Sequence, residues 1–117
     1  MEPLKSLIPE LTDTLRNGIL PFWIGLEDRA RGGFFGRVDG TGVLHPDAPK
    51  GVVMHARILW TFSAACRVFG DPAYRAAAEA AKASLLGNFC DQEYGGVYWT
   101  ISADGRPLET KKQFYGL

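Results

Sequence analysis

The sequence predicts a mostly α-helical chain built from repeated helical hairpins, each with a short β-hairpin at one end. Apolar residues recur at helical spacing in three segments. A Gly-Gly element that continues through aromatic residues to Asp-Gly also occurs twice, as GGFFGRVDG from residue 32 and as GGVYWTISADG from residue 95. The two Gly-Gly pairs lie 63 positions apart, and a period of this length indicates a repeat of helical hairpins.

Composition and charge are those of a globular domain of modest size. The chain has 117 residues, 46% of them hydrophobic, and its 13 basic residues balance its 13 acidic ones. A neutral chain gives no electrostatic footprint for nucleic acid or for an anionic membrane. The N-terminus lacks the pattern of a secretory signal, and the apolar stretch 19–26 is too short to span a bilayer. We therefore expect neither nucleic acid nor a membrane as the partner, and the sequence leaves the oligomeric state open.

Two cysteines, Cys66 and Cys90, are present, and their separation matches no zinc or redox motif. Free cysteine is usually packed inside a protein. We expect two buried, reduced thiols, and a cytoplasmic location follows as the default.

The first helix is predicted over residues 3–17. Its apolar residues share one face by their spacing: Leu4, Leu7, Ile8, Leu11 and Leu15. Pro9 should kink this helix or delay its start, because proline removes one internal hydrogen bond. Gly18 is expected to end the helix, and Pro21 to mark a further break.

A β-hairpin is predicted over residues 33–45, with its turn at residues 39–42, where the sequence is Asp-Gly-Thr-Gly. Pro46 and Pro49 follow as a stiff connector. Residues 51–69 form a second helix that is apolar nearly all round, so we expect it to be buried on most sides, with Gly70 at its end.

The second unit repeats this order. Asp71 and Pro72 suit the N-cap and first position of a helix that continues through residues 73–86. Its polar face should lie towards solvent. A hairpin formed by residues 96–103 and 107–110 follows, and residues 111–117 begin another helix. Fewer than two complete units are present, so we expect a fragment of a longer protein.

The ionisable residues form no complete catalytic constellation. His45 precedes a proline on the connector and is expected to be a solvated loop residue, while His55 is interpreted as a hydrogen-bonded core residue. Arg57 stands between apolar neighbours, so its guanidinium should be paired or face a polar cavity. A structural ion pair and a fork directed at an oxygen-rich ligand are equally compatible with this position.

Aromatic residues cluster on the second helix of each unit or near its start, at Trp60, Trp99, Tyr98, Phe114 and Tyr115. Aromatic rings beside an arginine suit a carbohydrate cavity, and plain core packing is the alternative. The carboxylates of residues 93, 104 and 109 surround a hairpin, where a solvated turn explains them better than the paired acids of a glycosidase.

Three stretches together resemble the N-terminal part of the cellobiose 2-epimerases, within the N-acylglucosamine 2-epimerase superfamily. They are KGVVMHARILWTFSAA, DQEYGGVYWTISADGRPLETKKQFYGL and the first GGFFGRVDGTG. The resemblance covers nearly the whole chain. His55 stands where related sequences often have Asn, and Gly116-Leu117 stands where they often have Asn-Gln.

The resemblance implies a partial (α/α)6 barrel, in which six helical hairpins form a ring around a sugar-binding cavity. Residues 1–117 would be about the first two hairpins of that single domain. The implied reaction is reversible epimerisation at C2 of the reducing-end glucose of β-1,4-linked disaccharides. It proceeds by proton removal and return through an enediolate, and it needs no metal or nucleotide cofactor.

The resemblance also assigns the site residues. Arg57 would stabilise the enediolate and Tyr115 would contact the substrate, while the acid/base histidines would lie beyond Leu117. Neither His45 nor His55 would inherit that role, so no catalytic residue is assigned and the isolated chain should be inactive. The alternatives are an N-acylglucosamine 2-epimerase, a six-hairpin glycosidase, or a non-catalytic module that binds a sugar or a partner.

Overall fold

Helical segments alternate with loop-and-strand segments along the chain. The computed structural model describes residues 2–116. Its helices are α1 (Glu2–Lys5), α2 (Leu7–Thr14), α3 (Leu20–Ile24), α4 (Val52–Phe69) and α5 (Pro72–Ser84). Two π-helical turns (Leu15–Ile19 and Leu85–Phe89) and a 3₁₀ turn (Phe114–Gly116) supplement them. The predicted helix over 111–117 is therefore reduced to this 3₁₀ turn, and Leu117 lies outside the described residues.

The N-terminal helical segment is longer than the sequence predicts. Gly18 does not end it, because Gly18 lies within the first π-helical turn and α3 continues to Ile24. Pro21 occupies the first turn of α3. The wide π turn before it shifts the hydrogen bonds by one residue, so the missing N–H of Pro21 costs little there.

The sheet has three short antiparallel strands in the order β1 (Lys50–Gly51), β2 (Thr100–Ile101) and β3 (Pro107–Glu109). The second predicted hairpin is confirmed in place, with β2 and β3 around the Asp-Gly turn, but β2 is much shorter than the predicted residues 96–103. The first predicted hairpin, over residues 33–45, is wrong in extent. Its turn forms at residues 39–42, but one isolated bridge, between Val38 and Leu44, takes the place of the two predicted strands. Phe34 instead pairs backwards with Glu27.

Helix α4 has almost the predicted bounds and ends at Gly70, which has a φ of 73°. The prediction that it is buried on most sides is wrong. Its buried residues recur on one face only (Val52, His55, Ile58, Phe62 and Ala65). On the opposite side Trp60 is 73% exposed and Val68 is 67% exposed, because α4 packs on α5 and the N-terminal segment from one side. By length and mean hydropathy alone α4 could cross a bilayer. Its single packed face is that of a core helix.

Helix α5 begins as predicted. The Asp71 carboxylate accepts a hydrogen bond from the N–H of Ala73, and Pro72 occupies the first helical position. Arg75 and Glu79 lie on its exposed face and form an ion pair. The small residues of its other face, Ala77, Ala78 and Ala81, pack into the main core beside α4.

The repeated Gly-Gly element closes the same six-residue loop in both units. In the first loop the N–H of Asp28 donates to the carbonyl of Gly33, and the N–H of Gly32 donates back to the carbonyl of Asp28. In the second loop, residues 91–96, the N–H of Asp91 donates to the carbonyl of Gly96, and the N–H of Gly95 donates to the carbonyl of Asp91. All four glycines have φ between 69° and 87°, a left-handed conformation that side chains disfavour. The conformation explains why the Gly-Gly pair is repeated.

One buried lysine joins the two units. The Lys50 ammonium donates to Oδ2 of Asp28 (2.9 Å), to the carbonyl of Gly32 (2.7 Å) and to the carbonyl of Ala103 (2.9 Å). The first two acceptors belong to the first unit, and Ala103 belongs to the second. All three ammonium protons are thus satisfied in a side chain that is 1% exposed.

Asp28 is held as a carboxylate in this joint. Burial disfavours its charged form, but hydrogen bonds from Lys50 and from the backbone of Arg31 outweigh burial and lower the pKa of Asp28 below its ordinary value. The pair thereby stays charged at neutral pH, and each charge has a partner within the core.

A close backbone contact sets the position of Lys50. A Cβ atom on Gly36 would lie 1.8 Å from the carbonyl oxygen of Pro49. The chain can therefore approach the start of β1 at this point only because residue 36 has no side chain.

We expect Lys50→Met to destabilise the chain by about 3 kcal/mol, because the buried Asp28 carboxylate loses its buried charge partner and keeps only the partly exposed guanidinium of Arg31. Urea unfolding followed by circular dichroism measures the loss. Lys82→Met, on the exposed face of α5, is the matched control and should change stability by at most about 0.5 kcal/mol. Equal effects of the two substitutions would contradict this role of Lys50.

We expect Gly36→Ala to lower the free energy of unfolding by about 2 kcal/mol, since the new methyl group must displace the Pro49 carbonyl. Gly40→Ala is the control, because a Cβ there meets nothing within 4 Å. Thermal unfolding of both variants provides the comparison. A Gly36→Ala variant as stable as Gly40→Ala would show that this close approach is dispensable.

Candidate functional site

The structure brings the two predicted site residues into contact. Nη2 of Arg57 donates a 2.5 Å hydrogen bond to the hydroxyl oxygen of Tyr115, and the guanidinium carbon lies 6.0 Å from the centre of the Tyr115 ring. The two residues are 58 positions apart in the sequence. The fold therefore brings the two side chains together across this distance in the sequence.

Each residue is positioned by a different unit. Arg57 lies in the second turn of α4, and Tyr115 lies in the 3₁₀ turn that follows the second β-hairpin. This turn rests on α4 closely enough that a Cβ on Gly116 would lie 3.2 Å from Val52 and 3.3 Å from the Trp99 ring. The close packing fixes the Tyr115 backbone above the start of α4.

Arg57 is exposed, contrary to the expectation that its helix is buried on most sides. The apolar neighbours that suggested burial lie on other faces of α4, because consecutive helical residues point about 100° apart. The sequence left two alternatives open for Arg57, a structural ion pair and a fork directed at an oxygen-rich ligand. Among the described residues Arg57 forms no ion pair. Its partner there is the neutral phenol of Tyr115.

A groove of about 510 Å³ extends from Arg57 between the N-terminal segment and α4. Its lining is mainly apolar and comprises Ile19, Leu20, Trp23, Val53, Met54, Arg57, Ile58, Thr61 and Phe62. Trp23 was not singled out by the sequence analysis, since its helix was expected to end at Gly18. An apolar groove with a few polar groups is the usual form of a small-molecule site.

The Arg57 and Tyr115 pair offers a cation and a polarised hydroxyl at one place. Tyr115 accepts from the guanidinium through its oxygen, so its own proton remains available to donate to a ligand. The remaining N–H groups of Arg57 can bind oxygen atoms in a fork. The arrangement is suited to a ligand rich in hydroxyl or carbonyl oxygens, and especially to one that develops negative charge.

His55 is a core residue, as the sequence predicts. Its Nε2 accepts a hydrogen bond from the N–H of Phe34 (3.0 Å), and its Nδ1 donates to the carbonyl of Gly51 (2.7 Å). Both ring nitrogens are therefore used by the backbone, and the ring is neutral. Burial, together with the nearby charge of Lys50, lowers the pKa of His55 below its ordinary value. His55 cannot serve as a proton carrier without losing these bonds.

The other charged candidates lie on loops or in the second β-hairpin. His45 is partly exposed and pairs with Asp39 through Nε2 at 2.8 Å. Asp104 and Glu109 bond to hydroxyl groups within their own hairpin, as expected for turn residues. Cys66 and Cys90 are free thiols of intermediate exposure, so the prediction of full burial is wrong.

The five aromatic candidates differ in burial, and none of them lines the groove beside Arg57. Trp99 is partly buried and packs against the second core cluster of Val52, Phe89 and Ile101. Trp60, Phe114 and Tyr115 are exposed by 73%, 94% and 69%. Among the five candidates, Tyr115 is the one that contacts Arg57.

The fold matches part of the (α/α)6 barrel of solved cellobiose 2-epimerases. A solved cellobiose 2-epimerase from Bacillus thermoamylovorans superposes with a TM-score of 0.94 at 38% identity, covering 96% of this chain and 29% of its own. The cellobiose 2-epimerase from Spirochaeta thermophila gives a TM-score of 0.93 at 43% identity, covering 98% of this chain and 28% of its own. The predicted fold class is thereby confirmed.

The sequence profile of the N-acylglucosamine 2-epimerase (GlcNAc 2-epimerase) family matches residues 33–117. The chain belongs to this family. A curated relative, the cellobiose 2-epimerase of Bacteroides fragilis, is 46% identical over 114 residues, which is 97% of this chain. The chain spans 29% of the length of that relative.

We expect the stability of the chain to fall as the pH drops below about 6.5, because the unfolded histidine takes up a proton before folded His55 does. The contribution is complete above pH 6.5 and is lost towards the lower folded pKa. Urea unfolding at pH 7 and pH 5 measures the difference.

His55→Gln should reduce this difference between pH 7 and pH 5. The comparison is made between the His45→Gln chain and the His45→Gln, His55→Gln chain. His55 is then the only histidine of the first chain. An unchanged difference between the two pH values would show that His55 contributes nothing to it.

Proposed function

We propose that this chain forms the first part of a carbohydrate 2-epimerase, about two hairpins of a six-hairpin ring. The proposed reaction is reversible epimerisation at C2 of the reducing-end glucose of β-1,4-linked disaccharides, such as cellobiose. The contact between Arg57 and Tyr115 carries the proposal, since it joins a hydroxyl donor to a cation that lines the groove. The names of the relatives support the substrate class.

In the proposed reaction the sugar ring opens and a base removes the proton at C2. The electron pair moves onto the carbonyl oxygen and gives an enediolate, which a second group protonates on the opposite face. The guanidinium of Arg57 binds the enediolate oxygens and stabilises their negative charge more in the transition state than in the ground state. Tyr115 donates its hydroxyl proton to a neighbouring sugar oxygen.

The two acid/base groups of this mechanism are assigned to histidines in the part of the protein that follows Leu117. His55 is excluded because both its ring nitrogens are engaged in the core. The 117-residue chain should therefore bind sugar weakly and epimerise none. A cytoplasmic location remains a prediction from the sequence.

We expect a chimaera to epimerise cellobiose when residues 1–117 replace the matching segment of the Bacteroides fragilis relative. The reaction in D₂O should place deuterium at C2 of the reducing-end sugar, and NMR measures this exchange. Epimerisation of N-acetylglucosamine with no reaction of cellobiose would favour the N-acylglucosamine branch. A folded chimaera inactive on both sugars would overturn the proposal.

Arg57→Met in this chimaera should lower kcat/KM by about 10²–10³-fold, the usual cost of removing one donor to a developing oxyanion. Tyr115→Phe should have a smaller effect, because it removes a neutral donor. Arg67→Met is the matched control, since Arg67 is exposed near the other end of α4. Equal losses from the two arginine substitutions would contradict the assigned role of Arg57.

A further inference from the structure

Lys112 binds the second Gly-Gly loop in the same way that Lys50 binds the first. Its ammonium donates to Oδ2 of Asp91 (2.8 Å) and to the carbonyl of Gly95 (2.9 Å). Lys50 makes the same two contacts with the first loop. The two lysines are 62 positions apart, and the loops that they bind are 63 positions apart.

The two lysines differ in what lies on their remaining side. Lys50 is 1% exposed and donates its third bond to the carbonyl of Ala103 in the following unit. Lys112 is 32% exposed, and the centre of the Tyr98 ring lies 5.5 Å from its Nζ. The hydrogen bond from Lys112 lowers the pKa of Asp91 to about 2, so the pair is charged at neutral pH.

The residue two positions after each lysine shows the same contrast. Val52 follows Lys50, is 2% exposed, and donates its N–H to the carbonyl of Trp99 in the following unit. Phe114 follows Lys112 and is 94% exposed. An aromatic side chain exposed to this degree loses most of the free energy that its burial would provide.

The first joint also pairs two strands. Residues 50 and 51 form β1 and pair with Ile101 and Thr100 of the following unit. Residues 112 and 113 occupy the same place after the second loop, directly before the helical turn that corresponds to the start of α4. Residues 112 and 113 belong to no strand in the described part of the chain, and the carbonyl of Gln113 accepts from the N–H of Gly116.

We propose that residues 112–114 form the docking edge for a third helical-hairpin unit of the same polypeptide. The β-hairpin of that unit supplies a backbone carbonyl to Lys112, pairs with residues 112 and 113, and covers Phe114. The inference rests on the proposed function in one respect, the assumption that more helical-hairpin units follow. It adds the residues that would position the next unit against the second one. The observed joint between the first two units is the template for this interface.

Acylation of lysine amines by an N-hydroxysuccinimide ester, mapped by mass spectrometry, tests the proposal. Two proteins are compared: the 117-residue chain, and the same residues followed by the remaining sequence of the Bacteroides fragilis relative. We expect Lys50 to be protected in both proteins. Lys112 should react in the short chain and fall to the reactivity of Lys50 in the long one. Lys111, its exposed neighbour, is the control and should react in both.

A second measurement compares melting temperatures of the long protein. Lys112→Met should lower Tm by about 5–10 °C, since it leaves Asp91 charged and newly enclosed, whereas Lys111→Met should leave Tm unchanged. In the 117-residue chain neither substitution should cause a comparable shift.

A long protein in which Lys112 reacts as fast as Lys111 overturns the proposal, whether the third unit fails to fold or docks elsewhere. Protection of Lys112 in the short chain that increases with concentration also overturns it, because a second copy would then occupy the edge. Epimerase activity of the long protein is scored separately. Activity with a reactive Lys112 rejects the joint and leaves the proposed function standing, and protection without activity does the reverse.

Discussion

The ammonium of Lys50 is the contact on which the arrangement of the two units depends. It takes two oxygen acceptors from the loop that ends the first helical segment and one from the hairpin of the second unit. A buried charge tolerates no loss of partners, so these three acceptors must stay within hydrogen-bond distance of one another. Strand pairing between β1 and β2 follows directly from this position. One side chain thus fixes the loop, the start of α4 and the neighbouring hairpin.

The repeated loop provides the acceptors for this lysine. Asp28 and Asp91 each turn the chain so that two glycines adopt left-handed conformations and a glycine carbonyl points at the lysine. The carboxylate then completes the site on one side. An aspartate, two glycines and a distant lysine therefore act together as the structural unit that is repeated. The aromatic residues after each Gly-Gly pair lie in the core or at its edge and are secondary to this unit.

The candidate site depends on the same joint. Arg57 belongs to α4, whereas Tyr115 follows the second hairpin, and the two meet only because that hairpin is held against the start of α4. The small size of Gly116 allows this close packing on Trp99 and Val52. A cation and a hydroxyl donor are thereby assembled from two units at one end of the helices. The groove beside them extends along α4 towards Trp23, so the polar pair lies at the edge of an apolar surface.

The sequence by itself determined the helical repeat, the bounds of α4 and α5, the second hairpin and the identity of Arg57 and Tyr115 as candidates. The repeat, the helix bounds and the hairpin follow from local patterns: apolar spacing, an Asp-Pro helix start, Gly-Gly and Asp-Gly turns. The two candidate residues come from the resemblance to the cellobiose 2-epimerases. Only the tertiary structure decided that Arg57 is exposed and that Tyr115 is its partner. It also extended the first helix past Gly18 and reduced the first hairpin to a single bridge. Local sequence patterns did not predict that Lys50 and Lys112 bind the two Gly-Gly loops, although their 62-residue separation matches the repeat. A lysine in a sequence is ordinarily a solvated residue, and its burial depends on acceptors that lie up to 53 positions away in the chain.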